Sequence, residues 1–267
     1  MAAKIIVGDF QNLPEIHDDG YIDKYAKKSH AADPITDIDV IADISDYFIA
    51  NKKYRDNLIF ILGCNCGLRC GEILSLTWGD IICPSGAVKK NITFCETKTS
   101  KRDKQTKAII KEKTREVAVN NAVREAIEIF LNSKETIFLT DYVFKSESRS
   151  AAFYSKQRKE GMSSTPDHLT RKSVDRILKK TIKEALGCMD MNVSTHTMRK
   201  TFARQALENV PEEYKHDIVG WLQLLLGHAK PESTLHYIGI TKEEKAKAFN
   251  NLNLGQRRNN DKVIKIV

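Results

Sequence analysis

The 267-residue chain has no apolar run near the roughly 20 residues that a bilayer-spanning helix needs, so a membrane protein is not expected. Its opening stretch, MAAKIIVGDFQNLPEIHDDG, joins too short an apolar core to too many acids for a secretory signal, and a cytoplasmic location follows as the expectation. The six cysteines include no C-x-x-C pair, which argues against a zinc or redox motif, and in a reducing compartment they stay as thiols. Cys64, Cys66 and Cys70 fall in an apolar helical region and read as buried thiols. Internal repeats and acidic metal-binding clusters are also missing. What the chain has in excess is positive charge. Lys and Arg number 43 against 35 Asp and Glu, a net charge of +8 that favours a polyanionic partner. With 41% hydrophobic and 29% charged residues the balance is that of a globular protein, long enough to bury a sizeable core.

Residues 1–31 carry little pattern and read as a tail or tether. Residues 32–255 read as a single domain, mainly α with one small antiparallel β-hairpin sheet, and residues 256–267 as a C-terminal tail. Thr36 is the expected N-cap of a first helix in which Ile38, Ile41, Ile44 and Phe48 recur at helical spacing. A second helix runs from about Tyr54 to the turn at Gly67-Leu68-Arg69, and a third from Cys70 to Thr77. The period then shortens: Asp80–Cys83 and Val88–Lys98 read as strands, and Arg115–Val119 as the returning strand. Between Lys98 and Arg115 lies SKRDKQTKAIIKEKT, a long basic connection that either is a solvated loop or lies on nucleic acid; Ala108–Ile110 is a possible extension of the hairpin within it. Helices resume at Ala122. Residues 145–168 form a polar connection, and the helix 170–186 sets an apolar stripe (Val174, Ile177, Leu178, Ile182, Leu186) against a cationic face that includes Arg171, Lys172 and Arg176. A helix from Pro211 into the Trp221–Leu226 block, a short helix from Pro231 and a last one at Lys242–Leu252 complete the reading.

The most informative stretch is His196 to Tyr237. His196 and Arg199 stand three residues apart and share one side of a helix, which packs through Met198, Phe202 and Ala206 and leaves them on another face. His228 follows a Leu-Leu-Leu-Gly run, and Tyr237 comes nine residues later. A lone histidine is usually structural and a lone tyrosine usually packs. The ordered set is another matter. H-x-x-R, then L-L-G-H, then a tyrosine, preceded far upstream by Gly67-Leu68-Arg69-Cys70-Gly71-Glu72 and by Glu96-Thr97-Lys98-Thr99, resembles the catalytic domain of the tyrosine recombinase (phage integrase) family from about Asp33 to Gly255.

That resemblance implies a DNA breaking-rejoining fold and a site-specific recombinase that cuts and rejoins strands through a 3′-phosphotyrosyl intermediate. Tyr237 would be the nucleophile, with Arg69 and Arg199 on the phosphate. His196 would be the general base and His228 a phosphate contact. Lys98 would be the general acid, with Lys101 close enough to compete. No metal or cofactor is implied. Permanently charged guanidiniums that fork onto two oxygens suit phosphoryl transfer better than point charges do. A phenol near pKa 10 is neutral at rest and leaves competently on the return step. The implied partners are double-stranded DNA, along Lys101, Lys104, Lys107, Lys111, Arg171, Lys172 and Arg176, and further copies of the chain, as a homotetramer on DNA and a monomer or weak oligomer alone. Relatives usually carry a DNA-binding domain before the catalytic one, and only about 31 residues precede it here, so a separate DNA-binding or accessory protein is a further expected partner. The rival readings are type IB topoisomerase-like strand relaxation and a non-catalytic DNA-binding protein of the same fold. Tyr142 and Tyr214 are alternative tyrosines, and neither sits in a matching motif.

Overall fold

The computed structural model describes residues 31–96, 101–102, 109–111, 114–146, 167–187 and 191–238. Helix α1 (Ile38–Ala50) is capped by Asp37, whose carboxylate accepts from the Asp39 amide, and it buries Ile44 and Phe48. The cap is one residue later than the sequence suggests. Ile35 is buried and its amide donates to Thr201 Oγ1 at 2.9 Å, which holds Thr36 outside the helix. Ile38, the first of the expected apolar series, remains 64% exposed. Helix α2 (Tyr54–Cys66) is buried continuously from Asp56 to Cys64, as befits the central helix of the domain. It ends at Gly67, whose φ of 59° lies in the left-handed region. A Cβ there would also collide with the Phe202 ring, so the turn demands glycine on two counts.

Helix α3 (Cys70–Leu74) is shorter than expected, although Leu76 beyond it is still buried. The next segment corrects the sequence reading. Asp80 accepts from both the Thr77 amide and the Thr77 hydroxyl at 2.7 Å, a capping box that winds residues 78–81 into helix α4 (Trp78–Ile81). Only Ile82 keeps an extended pairing, a bridge to Val88. Strand β1 (Asn91–Cys95) is shorter than expected. Strands β2 (Lys101–Arg102) and β3 (Ile109–Lys111) pair antiparallel with each other, so part of the basic connection is itself a hairpin ladder. Strand β4 (Thr114–Ala118) pairs antiparallel with β1, from Asn91 opposite Ala118 to Cys95 opposite Thr114.

Helix α5 (Asn121–Asn132) is capped by Asn120 and turns Val123, Ala126, Ile127 and Phe130 inward. Helix α6 (Arg171–Leu186), capped by Thr170 and followed by Gly187 at φ 73°, buries Val174, Leu178 and Ile182, three of the five stripe residues. Helix α7 (Thr195–Glu208) starts from a Ser194 cap. The expected single helix from Pro211 does not form. A 3-10 turn at Glu212–Tyr214 is followed by Asp217, whose side chain accepts from the Gly220 amide and begins helix α8 (Ile218–Leu226) anew. Helix α9 (Pro231–Ile238) comes last among the described residues. The expected tail 1–31 (but for Ala31), most of the polar connection, the helix at 242–252 and the tail 256–267 lie outside them.

Helix α2 packs against α1, α5 and α7, and α6 lies against α1 and α7. Each fully buried Leu, Ile or Phe of this core contributes about 1.5–3 kcal/mol relative to an exposed position. The architecture is mainly helical with small antiparallel β structure, as the sequence indicates; among the described residues it forms two two-stranded sheets, β1–β4 and β2–β3. No described helix is long and apolar enough to cross a membrane. The thiols of Cys64, Cys66 and Cys70 are buried and unpaired. Burial pushes the Cys66 thiol up to about 12 and that of Cys70 to about 11, so both stay protonated.

Candidate active site

Arg199 stands on α7 and is 1% exposed, the largest fully buried side chain described. The face that the sequence reading set apart from Met198, Phe202 and Ala206 is thus itself covered at Arg199. Its Nη1 donates to the Gly67 carbonyl; its Nη2 donates to the Leu226 carbonyl at 2.5 Å and to His228 Nε2 at 3.0 Å. The left-handed glycine that ends α2 thus also presents the oxygen that receives Arg199. Leu226 is the last residue of α8, where the helix leaves carbonyls unpaired and carries partial negative charge. Burial, then the charge of Arg69, lowers the Arg199 pKa to about 10, so the group remains cationic at neutral pH.

Arg69 sits just before α3 and is held differently. Its Nη1 pairs with Glu72 Oε1 at 2.7 Å, while Glu72 Oε2 accepts from the Arg69 amide at 2.6 Å. Tyr237, on α9, reaches the same place. Its hydroxyl and His196 Nδ1 are hydrogen-bonded at 2.9 Å, and its ring centroid is 5.4 Å from the Arg199 guanidinium carbon. The cavity there, about 290 Å³, is lined by Arg69, Glu72, Arg171, His196, Arg199 and Tyr237 among others. His228 lies against it, its ring 5.1 Å from that of Tyr237 and its Nδ1 3.0 Å from Thr234 Oγ1. Burial and the charges of Arg199, Arg69 and Arg115 push His228 down to about 4, and it is neutral at physiological pH.

Five of the six residues singled out as catalytic therefore meet: Arg69, His196, Arg199, His228 and Tyr237. Lys98 lies outside the described residues, as do Lys104 and Lys107. Lys101 and Lys111 face each other as β-ladder partners. Arg171 reaches the cavity, its Nε donating to Thr195 Oγ1 at 3.1 Å, and Lys172 and Arg176 are exposed on the first turns of α6. Tyr214 stacks on Trp221 and Tyr142 packs edge-on to His168; neither lines the cavity. Among the described residues, no group of His, Cys, Asp and Glu could hold a metal ion.

Arg115 lay outside the motifs, and Glu96 stood within one without a role assigned to it. Arg115, on β4, places Nε 3.0 Å from Glu96 Oε1 and Nη2 3.9 Å from Glu72 Oε2, donates from Nη1 to the Leu225 carbonyl, and stacks 4.9 Å from the Phe94 ring centroid. Glu96 is wholly buried and packs against Gly227, where a Cβ would collide with its carboxylate. This close approach, with a φ of 62°, is why the turn before His228 is glycine. The one sequence signal was phase. In the alternating strand Arg115 shares a face with the inward Val117, and a charge pointing inward requires a partner.

Solved structures of similar fold are recombinases. XerA recombinase aligns over 87% of this chain and 67% of its own, with a TM-score of 0.55 at 17% identity. The Tn1549 transposon integrase, solved in complex with a circular intermediate DNA, aligns over 88% of this chain and 69% of its own, with a TM-score of 0.50 at 16% identity. The fold is that of a tyrosine recombinase catalytic domain. The phage integrase family profile matches residues 36–244, and the chain belongs to that family: it is a tyrosine-type site-specific DNA recombinase. The probable integrase/recombinase YoeC of Bacillus subtilis (strain 168) is 28% identical over 223 residues, covering 82% of this chain and 96% of that protein.

Proposed function

We propose that this recombinase cleaves double-stranded DNA through Tyr237 and that residues 32–255 form the catalytic domain. The Tyr237 oxygen attacks the scissile phosphorus as the bond to the 5′ oxygen breaks, giving a 3′-phosphotyrosyl enzyme and a 5′-hydroxyl. His196 receives the phenolic proton. Arg69 and Arg199 offset the charge on the nonbridging oxygens, with His228 beside them. The 5′ oxygen is protonated by Lys98 or Lys101. One phosphodiester replaces another, so the rejoining step is the same reaction run backwards. The observation that carries this reading is the 2.9 Å contact of the Tyr237 hydroxyl with His196 in a cavity that both arginines line.

Arg171, Lys172 and Arg176, with Lys101, Lys104, Lys107 and Lys111, contact DNA phosphates, as the net charge of +8 favours. Two duplexes are exchanged, so four copies act together on DNA, assembling from monomers or weak oligomers in the cytoplasm. A separate DNA-binding or accessory protein assists site recognition.

The test is a pool of nicked duplexes with randomised sequence, in which loss of the short 5′-hydroxyl strand traps covalent protein. Tyr237→Phe should bind the pool as the parent does and form no adduct, since only the hydroxyl is removed. Adduct of normal yield in that variant would transfer the nucleophile to another residue. A 5′-phosphorylated trapped fragment would reverse the polarity.

A further inference from the structure

The contact between Arg199 and His228 constrains a proton. A guanidinium has donors only, so Arg199 Nη2 at 3.0 Å from His228 Nε2 requires that nitrogen to accept. His228 is neutral, and its single ring proton therefore sits on Nδ1. That nitrogen lies 3.0 Å from Thr234 Oγ1, which accepts it. Thr234 is fully buried on α9, three residues before Tyr237 and on the same face of the helix. We propose that Thr234 is a positioning residue of the cleavage site: it fixes the tautomer and ring plane of His228, through His228 it aligns the Arg199 guanidinium, and it ties that alignment to the docking of the helix that carries Tyr237.

The alternative tautomer shows why the hydroxyl matters. Without an acceptor at Thr234, a buried Nδ1–H is left unsatisfied, and the Nδ1–H tautomer loses the bond that favours it over Nε2–H. An Nε2–H then faces the N–H of Arg199, donor against donor, and the two must separate. The Arg199 bonds to the Gly67 and Leu226 carbonyls restrain the guanidinium but leave its orientation about them unset.

This proposal rests on Arg199 as a phosphate ligand, and the test separates the two. Thr234→Val keeps the shape and removes the oxygen; Thr234→Ser keeps the oxygen. In the full-length protein with ¹⁵N-labelled histidine at neutral pH, His228 should be the Nδ1–H tautomer in the parent and in Thr234→Ser, and should lose that single form in Thr234→Val. Single-turnover adduct formation on the nicked duplex pool should fall about tenfold in Thr234→Val, the scale of one lost hydrogen bond, with DNA affinity within about twofold. Thr234→Ser should stay within about threefold of the parent. In an Arg199→Ala background Thr234→Val should cost nothing further. An Nε2–H tautomer in the parent overturns the proposal whatever the DNA result. A Ser variant as slow as Val overturns it by making the methyl group the reason. Full additivity with Arg199→Ala overturns the path through that arginine. A parent that forms no adduct at all defeats the reading of Tyr237, while the ring spectra still decide the link between Thr234 and His228.

Discussion

Arg69 and Arg199 line one cavity, yet opposite means hold them. Arg69 is tied to a carboxylate on α3, and that region is balanced: Arg69 and Arg115 stand against Glu72 and Glu96. Around α7, α8 and α9 Arg199 donates hydrogen bonds to two backbone carbonyls and a neutral imidazole. Carbonyl dipoles at a helix C-terminus satisfy donors without cancelling a full charge. Of the two arginines, Arg199 is the one whose hydrogen bonds go to no carboxylate, and it is the less exposed. The balanced side supplies geometry, and the unbalanced side supplies field.

The sharpest way to break this contrast is to keep charge and remove the fork. Arg199→Lys should lower the single-turnover cleavage rate by about 10²–10³, the usual cost of losing one preorganised donor at developing charge. Arg69→Lys should lose less, because Glu72 can hold an ammonium at the same place. Equal losses would show that the carboxylate does not distinguish the two sites.

Next in size is Arg115. Arg115→Met removes the Arg115 cation from the wholly buried Glu96 beside Gly227, and should destabilise the fold by about 3–5 kcal/mol in urea titration. Pairing that change with Glu96→Gln should recover much of the loss. No recovery would mean that the Leu225 carbonyl, rather than the ion pair, is what Arg115 serves.

A smaller effect is pH dependence on the unbalanced side. The His228 pKa is about 4 in the fold against 6.5 as its reference. Between those values the unfolded chain binds the extra proton, so stability rises with pH through the window. The contribution is complete above about 6.5 and is lost as pH falls toward 4. His228→Gln, which cannot titrate, should show a shallower fall in urea midpoint from pH 6.5 to 4.5. An identical fall would assign the slope to carboxylates alone.

The smallest effect lies outside both regions. Lys172→Gln with Arg176→Gln should reduce the slope of log affinity against log salt by about 0.9 per lost phosphate contact on duplex DNA, and leave melting unchanged. An unchanged slope would make the outer face of α6 a solvated surface.

Much of this organisation was legible in order. Residue types that perform phosphoryl transfer recurred at motif spacing, and the apolar stripes of α5 and α6 marked their inward faces. Local capping chemistry was read less well. The box from Thr77 to Asp80 turned an expected strand into a helix, and Asp217 restarted a helix expected to run unbroken from Pro211. Both are side-chain bonds over three residues that outweigh a short apolar pattern.

By itself the sequence determined which chemical groups the protein brings and which elements carry them, because periodicity and glycine turns are properties of neighbouring residues. It could not say that Arg199 would be the most enclosed cation among the described residues. Its partners are Gly67, 132 residues away, and Leu226 and His228, 27 and 29 away. Nor could it join Arg115 to Leu225, 110 residues along the chain, or show that Gly227 makes room for Glu96. Burial of a charge is decided by what folds over it, and the groups that make that burial tolerable are backbone carbonyls, which every sequence supplies and only a tertiary structure aims.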